Sequence, residues 1–151
     1  MATAPYSVPV LIRFSHSDPA GIVYYPNYFD MFTAVVEDWF RDALGVNYAD
    51  EIMVRRRGFP LVHAECDFFV PSRMGETLTM TVLVGRVGRS SLSLIIHGHV
   101  GAEARLRANL VSAMISLDTG KSIDIPDDLR GRFADYAAVH RGWTPRAAGA
   151  A

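Results

Sequence analysis

The residues best suited to chemistry are a carboxylate and a helix start that lie close together near the N-terminus. Asp18 lies in a turn-rich segment, and Pro26 follows Tyr25 where an apolar helical period begins. Proline suits the first helical position, which puts Tyr25 at the N-cap, where its side chain cannot easily accept the free N–H groups. The backbone N–H groups of Tyr25, Asn27 and Tyr28 are therefore predicted to need another acceptor, either water or a ligand.

A carbonyl group placed at this helix start would accept those N–H groups. The helix dipole would then stabilise the oxyanion that forms when the carbonyl is attacked. Asp18 could act as a general base toward water or as a direct nucleophile, and both roles stay open. Gly21 relaxes the turn between them and could let the backbone pass close to a ligand. The alternative, which generic spacing favours, is that Asp18 only caps its own turn and Tyr25 is solvated.

The elements that position these groups are predicted from the period of the apolar residues. A strand over 8–14 precedes the turn, and Pro9 either places that strand at a sheet edge or makes its first residues irregular. Residues 26–44 carry apolar side chains at three- and four-residue steps, which predicts one helix of roughly five turns. Residues 47–58 are expected to form a short helix and then a loop. Four segments at 61–71, 77–85, 92–100 and 104–117 are predicted to be strands, the last three from alternating side chains, and a short helix is expected at 125–136.

A single helix with a wide apolar arc needs a sheet to cover it, so the chain is predicted to be a one-domain α+β protein. Short glycine-bearing turns favour antiparallel pairing of the strands. The last alternating segment, 104–117, is apolar on both faces near its end, which predicts a central strand covered on both sides. The core is expected over about residues 8–136, and the tail over 145–151 is expected to be mobile.

The composition narrows the classes of protein. The chain has 151 residues, half of them hydrophobic, and a formal net charge of -1, which argues against a nucleic-acid partner. Cys66 is the only cysteine, which excludes an internal disulfide and a cysteine-based zinc site. No apolar run approaches the ~20 residues that span a membrane, and the first residues lack a signal-peptide pattern. We therefore expect a cytoplasmic protein without membrane partner, metal or cofactor.

The string from Asp18 to Tyr28, D-P-A-G-I-V-Y-Y-P-N-Y, resembles the signature of the 4-hydroxybenzoyl-CoA thioesterase family. The predicted order of strand, helix and four strands is similar to that family's hotdog fold, an antiparallel β-sheet wrapped around one long central α-helix. The resemblance implies that Asp18 is the catalytic carboxylate and that the backbone N–H of Tyr25 polarises the thioester carbonyl. It also implies a homo-oligomer, a dimer or a dimer of dimers, with the active site at the subunit interface.

The resemblance also bears on the substrate. A related branch that acts on short-chain acyl-CoA carries histidine where this chain has Pro26, so the match favours the aromatic-acyl branch. The expected substrate is an aryl-CoA thioester such as 4-hydroxybenzoyl-CoA or benzoyl-CoA. The alternatives are a thioesterase for short- or medium-chain aliphatic acyl-CoA and a non-catalytic module that binds acyl thioesters.

The remaining candidate residues fall into two groups. Contacts with the substrate are expected from Gly21, Pro26, Tyr28 and His63. Contacts with CoA are expected from Arg89, Ser90 and Lys121, although the basic run of the aromatic-acyl branch is thinned here to Arg86 and Arg89.

Overall fold

A five-stranded antiparallel sheet and one long helix form the body of the protein, in a computed structural model that describes residues 4–145. The elements in chain order are β1 (Ser7–Leu11), α1 (Pro26–Asp42), α2 (Tyr48–Met53), β2 (Arg57–Gly58), β3 (Leu61–Phe68), β4 (Thr77–Val87), β5 (Ser91–Val100), β6 (Glu103–Ala113), β7 (Ile115–Ser116) and α3 (Asp127–Val139). The large sheet has the order β1-β4-β5-β6-β3, and β2 pairs with β7 in a separate two-stranded sheet.

Helix α1 buries one apolar face against the large sheet. Its buried side chains recur at helical spacing and include Phe32, Val35 and Trp39. The facing positions on the sheet alternate along each strand, as in the run Leu78, Met80, Val82 and Val84 of β4. The predicted long helix and the predicted antiparallel sheet are both confirmed, and together they make the α+β arrangement of a sheet around one helix.

The predicted first strand is shorter than expected. β1 pairs with β4 along its length and is an edge strand, as Pro9 predicted. It ends at Leu11 because the chain then turns: Ile12 exchanges backbone hydrogen bonds with Glu76 and Gly75, and a 3-10 turn follows at Phe14–His16. The 3-10 turn delivers the chain into the loop that precedes α1.

The predicted last strand, 104–117, is wrong at its end. β6 stops at Ala113, and the chain leaves the large sheet at the buried Met114. The Met114 N–H donates to the Ser90 carbonyl at 2.7 Å, and its carbonyl accepts from the Ile123 N–H at 3.0 Å. The apolar residues on both faces near the end of this segment are therefore explained by cover from the turn at Ser90 and the loop at Ile123. They do not indicate a central strand that continues to residue 117.

Helix α3 begins after Pro126, as predicted, and covers part of the edge of β4 that β1 leaves free. The Tyr136 hydroxyl donates to the Val82 carbonyl at 2.5 Å, and the Val84 N–H donates to His140 Nε2 at 3.0 Å. These two side chains take the place of an edge strand. Within residues 4–145 no helix combines the length and the apolar character needed to cross a bilayer. The predicted mobile tail lies, beyond residue 145, outside the described residues.

Candidate active site

The segment that joins the 3-10 turn to α1, residues 17–25, carries both predicted catalytic groups and is called the 17–25 loop below. It is closed by backbone hydrogen bonds from the Asp18 N–H to the Ile22 carbonyl at 3.0 Å and from the Gly21 N–H to the Asp18 carbonyl at 2.9 Å. Ser17 and Val23 form an antiparallel bridge at its base. Gly21 has a φ of 76°, in the left-handed region where glycine is favoured, so this turn depends on that residue.

The carboxylate of Asp18 is half-buried and fixed by its own loop. Its Oδ1 accepts a hydrogen bond from the Ala20 N–H at 2.9 Å, the side-chain turn that the alternative interpretation predicts. The hydrogen bonds among the described residues leave Oδ2 without a donor. One carboxylate oxygen thus orients the group, and the other is available to water or to a substrate.

The start of α1 satisfies more of its N–H groups than the sequence predicts. Tyr25 is the N-cap and Pro26 the first helical residue, and the Tyr25 side chain makes no capping bond. The Asn27 N–H donates to the Tyr24 carbonyl at 2.9 Å, and the Tyr28 N–H donates to the Tyr25 carbonyl at 3.1 Å. The prediction of free N–H groups is therefore wrong for Asn27 and Tyr28, because Tyr25 already has helical φ and ψ and the chain begins to coil there.

The N–H of Tyr25 remains, since no hydrogen bond within residues 4–145 uses it as a donor. It lies at the positive end of a helix of 17 residues. The chain on either side is held in place: the His16 carbonyl accepts from the Tyr24 N–H at 2.9 Å and from Asn27 Nδ2 at 2.8 Å. An anchored N–H donor and an anchored carboxylate in one loop can stabilise an oxyanion and assist an attacking water.

The residues that brace this loop lie in a distant part of the sequence. The turn between β3 and β4, residues 71–76, is called the 71–76 turn below. Its Ser72 carbonyl accepts from the Val23 N–H at 2.9 Å, and its Met74 N–H donates to the Gly21 carbonyl at 3.0 Å. Sequence reasoning missed this contact because no local pattern signals a bond between two separate turns.

The predicted substrate contacts are placed differently from one another. Tyr28 is buried, and its ring lies 5.2 Å from the ring of Phe68. Pro26 is exposed beside the free N–H, and Gly21 is half-exposed in the loop. His63 lies on the face of the sheet opposite α1, because it pairs with Val111, and its Nε2 lies 2.7 Å from a carboxylate oxygen of its neighbour on β3, Glu65.

The three predicted CoA contacts lie together at one end of the sheet. Arg89 and Ser90 form the turn between β4 and β5, and Arg89 Nε lies 3.1 Å from an Asp124 carboxylate oxygen, in the loop that also carries Lys121. The 17–25 loop lies at the opposite end, next to the start of β4. β4 has 11 residues, so roughly 35 Å of strand separates the two groups within one subunit.

An apolar cavity of about 270 Å³ lies between α1 and the start of β3. Aromatic and aliphatic side chains line it, and Thr33 and Ser112 add hydroxyl groups; the apolar members include Phe29, Phe32, Val36, Phe59 and Leu61. Leu61 and Ser112, near the start of β5, line its sheet side, and Phe29, four residues after Tyr25, lines its helix side, so the cavity lies between the two groups.

A larger cavity, about 550 Å³, lies elsewhere, beside His97, Arg107 and Trp143. It includes none of the predicted site residues among the side chains that line it in the described part of the chain. Across residues 4–145, no group of three or more His, Cys, Asp and Glu side chains is placed to hold a metal ion.

Comparison with known proteins places the chain in a family. A 1,4-dihydroxy-2-naphthoyl-CoA hydrolase of Nostoc punctiforme is 24% identical over 118 residues, which cover 78% of this chain and 79% of that one. A 1,4-dihydroxy-2-naphthoyl-CoA thioesterase structure from Synechocystis has a TM-score of 0.79 at 22% identity, covering 87% of this chain and 97% of that one. A gentisyl-coenzyme A thioesterase structure has a TM-score of 0.77 at 22% identity, covering 85% and 99%.

The structural likeness establishes the hotdog fold that the sequence predicts. The family model described as the thioesterase-like superfamily matches residues 12–133, which include the 17–25 loop, α1 and all of β3 to β6. Because that match covers most of the chain, this protein belongs to the thioesterase-like superfamily.

Proposed function

We propose that this protein hydrolyses an acyl-CoA thioester with an aromatic acyl group. The observation that carries the proposal is the unused N–H of Tyr25 at the start of α1, in the same loop as the available oxygen of Asp18. Family membership supports thioester chemistry, and the names of the similar proteins, which act on naphthoyl- and gentisyl-CoA, support an aromatic acyl group. The acyl group itself, for example 4-hydroxybenzoyl or a bicyclic one, is left to experiment.

In the proposed reaction, the thioester carbonyl oxygen accepts the Tyr25 N–H. Asp18 either takes a proton from a water that attacks the carbonyl carbon or attacks that carbon itself, after which water cleaves the resulting anhydride. Both routes form a tetrahedral oxyanion, which the N–H and the dipole of α1 stabilise. Its collapse breaks the carbon–sulfur bond and expels CoA as the thiolate. On the water route this leaves the free acid, and on the other route it leaves the Asp18 anhydride, which water then cleaves to the free acid and the Asp18 carboxylate.

We further propose that the complete site needs two copies of the chain. β3 is an edge strand with free backbone groups, and apolar side chains on it are exposed, among them Leu61, Val62 and Phe68. An edge of this kind pairs readily with another strand. Two β3 strands that pair antiparallel about a two-fold axis would place the beginning of one beside the end of the other.

That pairing would unite the separated halves of the site. The 17–25 loop lies at the end of the sheet where β3 finishes, since Tyr28 contacts Phe68, whereas Arg89 and Lys121 lie where β3 begins. In the dimer, the basic residues of one copy would adjoin Asp18 of the other. The acyl group would then occupy the apolar cavity, and the CoA phosphates would lie near the basic residues.

The test is thiol release from benzoyl-, 4-hydroxybenzoyl-, 1,4-dihydroxy-2-naphthoyl-, butyryl- and palmitoyl-CoA, by the wild type and by Asp18→Asn. We expect turnover of at least one aryl ester and a loss of several orders of magnitude in kcat for the amide variant, because the carboxylate acts in the transition state. Faster turnover of butyryl-CoA would favour the aliphatic alternative. Binding without turnover of any ester would favour the non-catalytic module and overturn the proposal.

A further inference from the structure

The 17–25 loop is not braced by its own neighbours alone. The 71–76 turn holds it through the two backbone bonds from Val23 and to Gly21, and an isolated antiparallel bridge joins Ile22 to Arg73. These three contacts fall in the middle of the loop, between Asp18 and Tyr25. A displacement of the turn would therefore move the carboxylate and the N–H relative to each other.

The 71–76 turn is in turn fixed by one buried side chain from the sheet. Arg105 of β6 makes a two-pronged ion pair with Glu76, with Nη1 2.9 Å from Oε1 and Nη2 2.8 Å from Oε2. The same Nη1 donates to the Pro71 carbonyl at 3.0 Å. Arg105 thus bonds to both ends of the turn. Within the turn, Glu76 Oε1 also accepts a hydrogen bond from the Arg73 N–H at 2.6 Å.

Burial and charge strengthen the ion pair between Arg105 and Glu76. The Arg105 side chain is 8% exposed and that of Glu76 is 26% exposed, so solvent screens their attraction only partly. The hydrogen bond from Arg105, together with that from the Arg73 N–H, lowers the pKa of Glu76 to about 2. The pair therefore stays ionised at any pH at which the protein is expected to work. Arg105 itself lies on β6, one of the inner strands of the sheet, which is a rigid support.

We propose that Arg105 and Glu76 are positioning residues for catalysis, which hold the 71–76 turn so that Asp18 and the Tyr25 N–H keep their catalytic geometry. The inference rests on the proposed function, because it assigns the pair a part in that reaction. Neither side chain touches the substrate in this scheme. Their effect falls on the chemical step, since misplacement of catalytic groups by about 1 Å can cost on the order of 100-fold in rate.

The chain offers a matched control for the test. Glu103 also pairs with Arg105, through its Nε at 2.7 Å, but makes no bond to the 71–76 turn. Glu76→Gln and Glu103→Gln each remove one negative charge from the same arginine by an almost isosteric change. Because Arg105 loses one carboxylate partner in each variant, a loss of stability is expected in both. Release of the 71–76 turn is expected only in Glu76→Gln.

The experiment measures kcat, KM, the unfolding midpoint and amide hydrogen exchange over residues 17–25 for the two variants, with the aryl-CoA ester that the wild type cleaves best. We expect Glu76→Gln to lower kcat by about 10- to 100-fold and to keep KM within about twofold of the wild type. The amides of the 17–25 loop should exchange hydrogen faster in this variant. Glu103→Gln should keep kcat within about twofold and exchange the loop amides as the wild type does. If Glu76→Gln does not fold, Arg105→Lys, which keeps the charge but loses the fork, takes its place.

Equal kcat losses in both variants, or a rise in KM with unchanged kcat, would overturn the positioning role. If the wild type cleaves no ester, the proposed function has failed, and the exchange measurement still decides whether the pair holds the loop. Wild-type exchange in Glu76→Gln would then overturn the inference on its own, independently of any activity.

Discussion

At the scale of single residues, the site depends on how α1 begins. Proline at the first helical position removes one N–H, and coiling at Tyr25 satisfies those of Asn27 and Tyr28. Within residues 4–145, a single free donor is therefore left at the positive end of the helix. That donor is next to the loop in which Asp18 is held by the Ala20 N–H. Catalysis in the proposed reaction therefore depends on two groups, each of which can be changed separately.

The N–H of Tyr25 can be removed with little change in backbone shape. Its φ of -52° lies within the range that proline adopts, and its N–H makes no bond within the described structure that proline would break. We expect Tyr25→Pro to lower kcat about 10²- to 10³-fold, the loss typical of a missing oxyanion donor. The measurement is steady-state thioester hydrolysis by the purified variant.

Tyr25→Phe is the control for that prediction, because it keeps the N–H and changes only the exposed ring. Its kcat should stay within about threefold of the wild type, and both variants should unfold near the wild-type midpoint. A Tyr25→Pro protein that folds normally and turns over at the wild-type rate would show that another donor holds the oxyanion.

At the scale of elements, α3 stabilises the edge of β4 with side chains. His140 Nε2 accepts the Val84 N–H, which requires the neutral ring with its proton on Nδ1. Burial lowers the pKa of His140, because the protonated ring would lose its hydration. A proton on Nε2 would also break the bond from the Val84 N–H. The contact between α3 and β4 is thus predicted to be sensitive to pH.

The direction of the change in stability with pH follows from proton binding by the folded and unfolded protein. Below about pH 6.5 the unfolded chain takes up a proton at His140 that the folded protein does not, so stability is full above that pH and falls as the pH drops through it. The slope for one such proton approaches ~1.4 kcal/mol per pH unit until the lowered folded pKa is reached. Urea unfolding at fixed protein concentration, between pH 7.5 and 5.5, measures the loss.

His140→Gln separates this effect from other titrations, since glutamine can accept the same N–H without titrating. The variant should lose less stability than the wild type over the same pH range. Part of the loss will be common to both proteins, because burial and the nearby Arg107 also lower the pKa of His97. Identical pH dependence in the two proteins would exclude His140 as the source.

At the scale of the whole molecule, the candidate groups are divided between two ends of one subunit. Asp18 lies near the start of β4, and Arg89 and Lys121 lie near its end. The length of β4 separates Asp18 from the two basic residues. Within one subunit, an acyl-CoA molecule could reach both only if it extended along the whole sheet. Antiparallel pairing of two β3 edges removes this difficulty, which makes the two-fold dimer a testable part of the mechanism.

Mixing two defective subunits tests this directly. Asp18→Asn lacks the carboxylate, and the double variant Arg89→Glu with Lys121→Glu lacks the basic group, so each homodimer should have little activity. In a mixed dimer, one of the two sites receives both intact halves. Random assortment makes half of the dimers mixed, so we expect co-assembled subunits to recover about a quarter of wild-type kcat.

The mixed sample must be compared with the two variants assembled separately and then combined without exchange. No recovery from two inactive but folded variants would place the whole site within one subunit and exclude the shared arrangement. Full activity of the double variant alone would instead remove Arg89 and Lys121 from CoA binding.

The sequence by itself determined the features that depend on local chemistry. The apolar period from Pro26 onward predicted α1, the alternation of later segments predicted three strands of the sheet, and the string from Asp18 to Tyr28 pointed to the candidate loop. Each of these signals lies within a short stretch of chain, where turn chemistry and side-chain period act directly. The fold and the family followed from them.

Only the tertiary structure decided how separate segments meet. Arg105 bonds to the 71–76 turn, and Met114 bonds to Ser90 where the chain leaves the large sheet. In both cases the bonded residues share no local sequence pattern. The face on which His63 lies was equally hidden, since the pairing register and the bulge in β3 set it, and a shift of one residue turns a strand side chain over. Local propensity predicts elements and turns, whereas the bonds that brace a site depend on packing between distant parts of the chain.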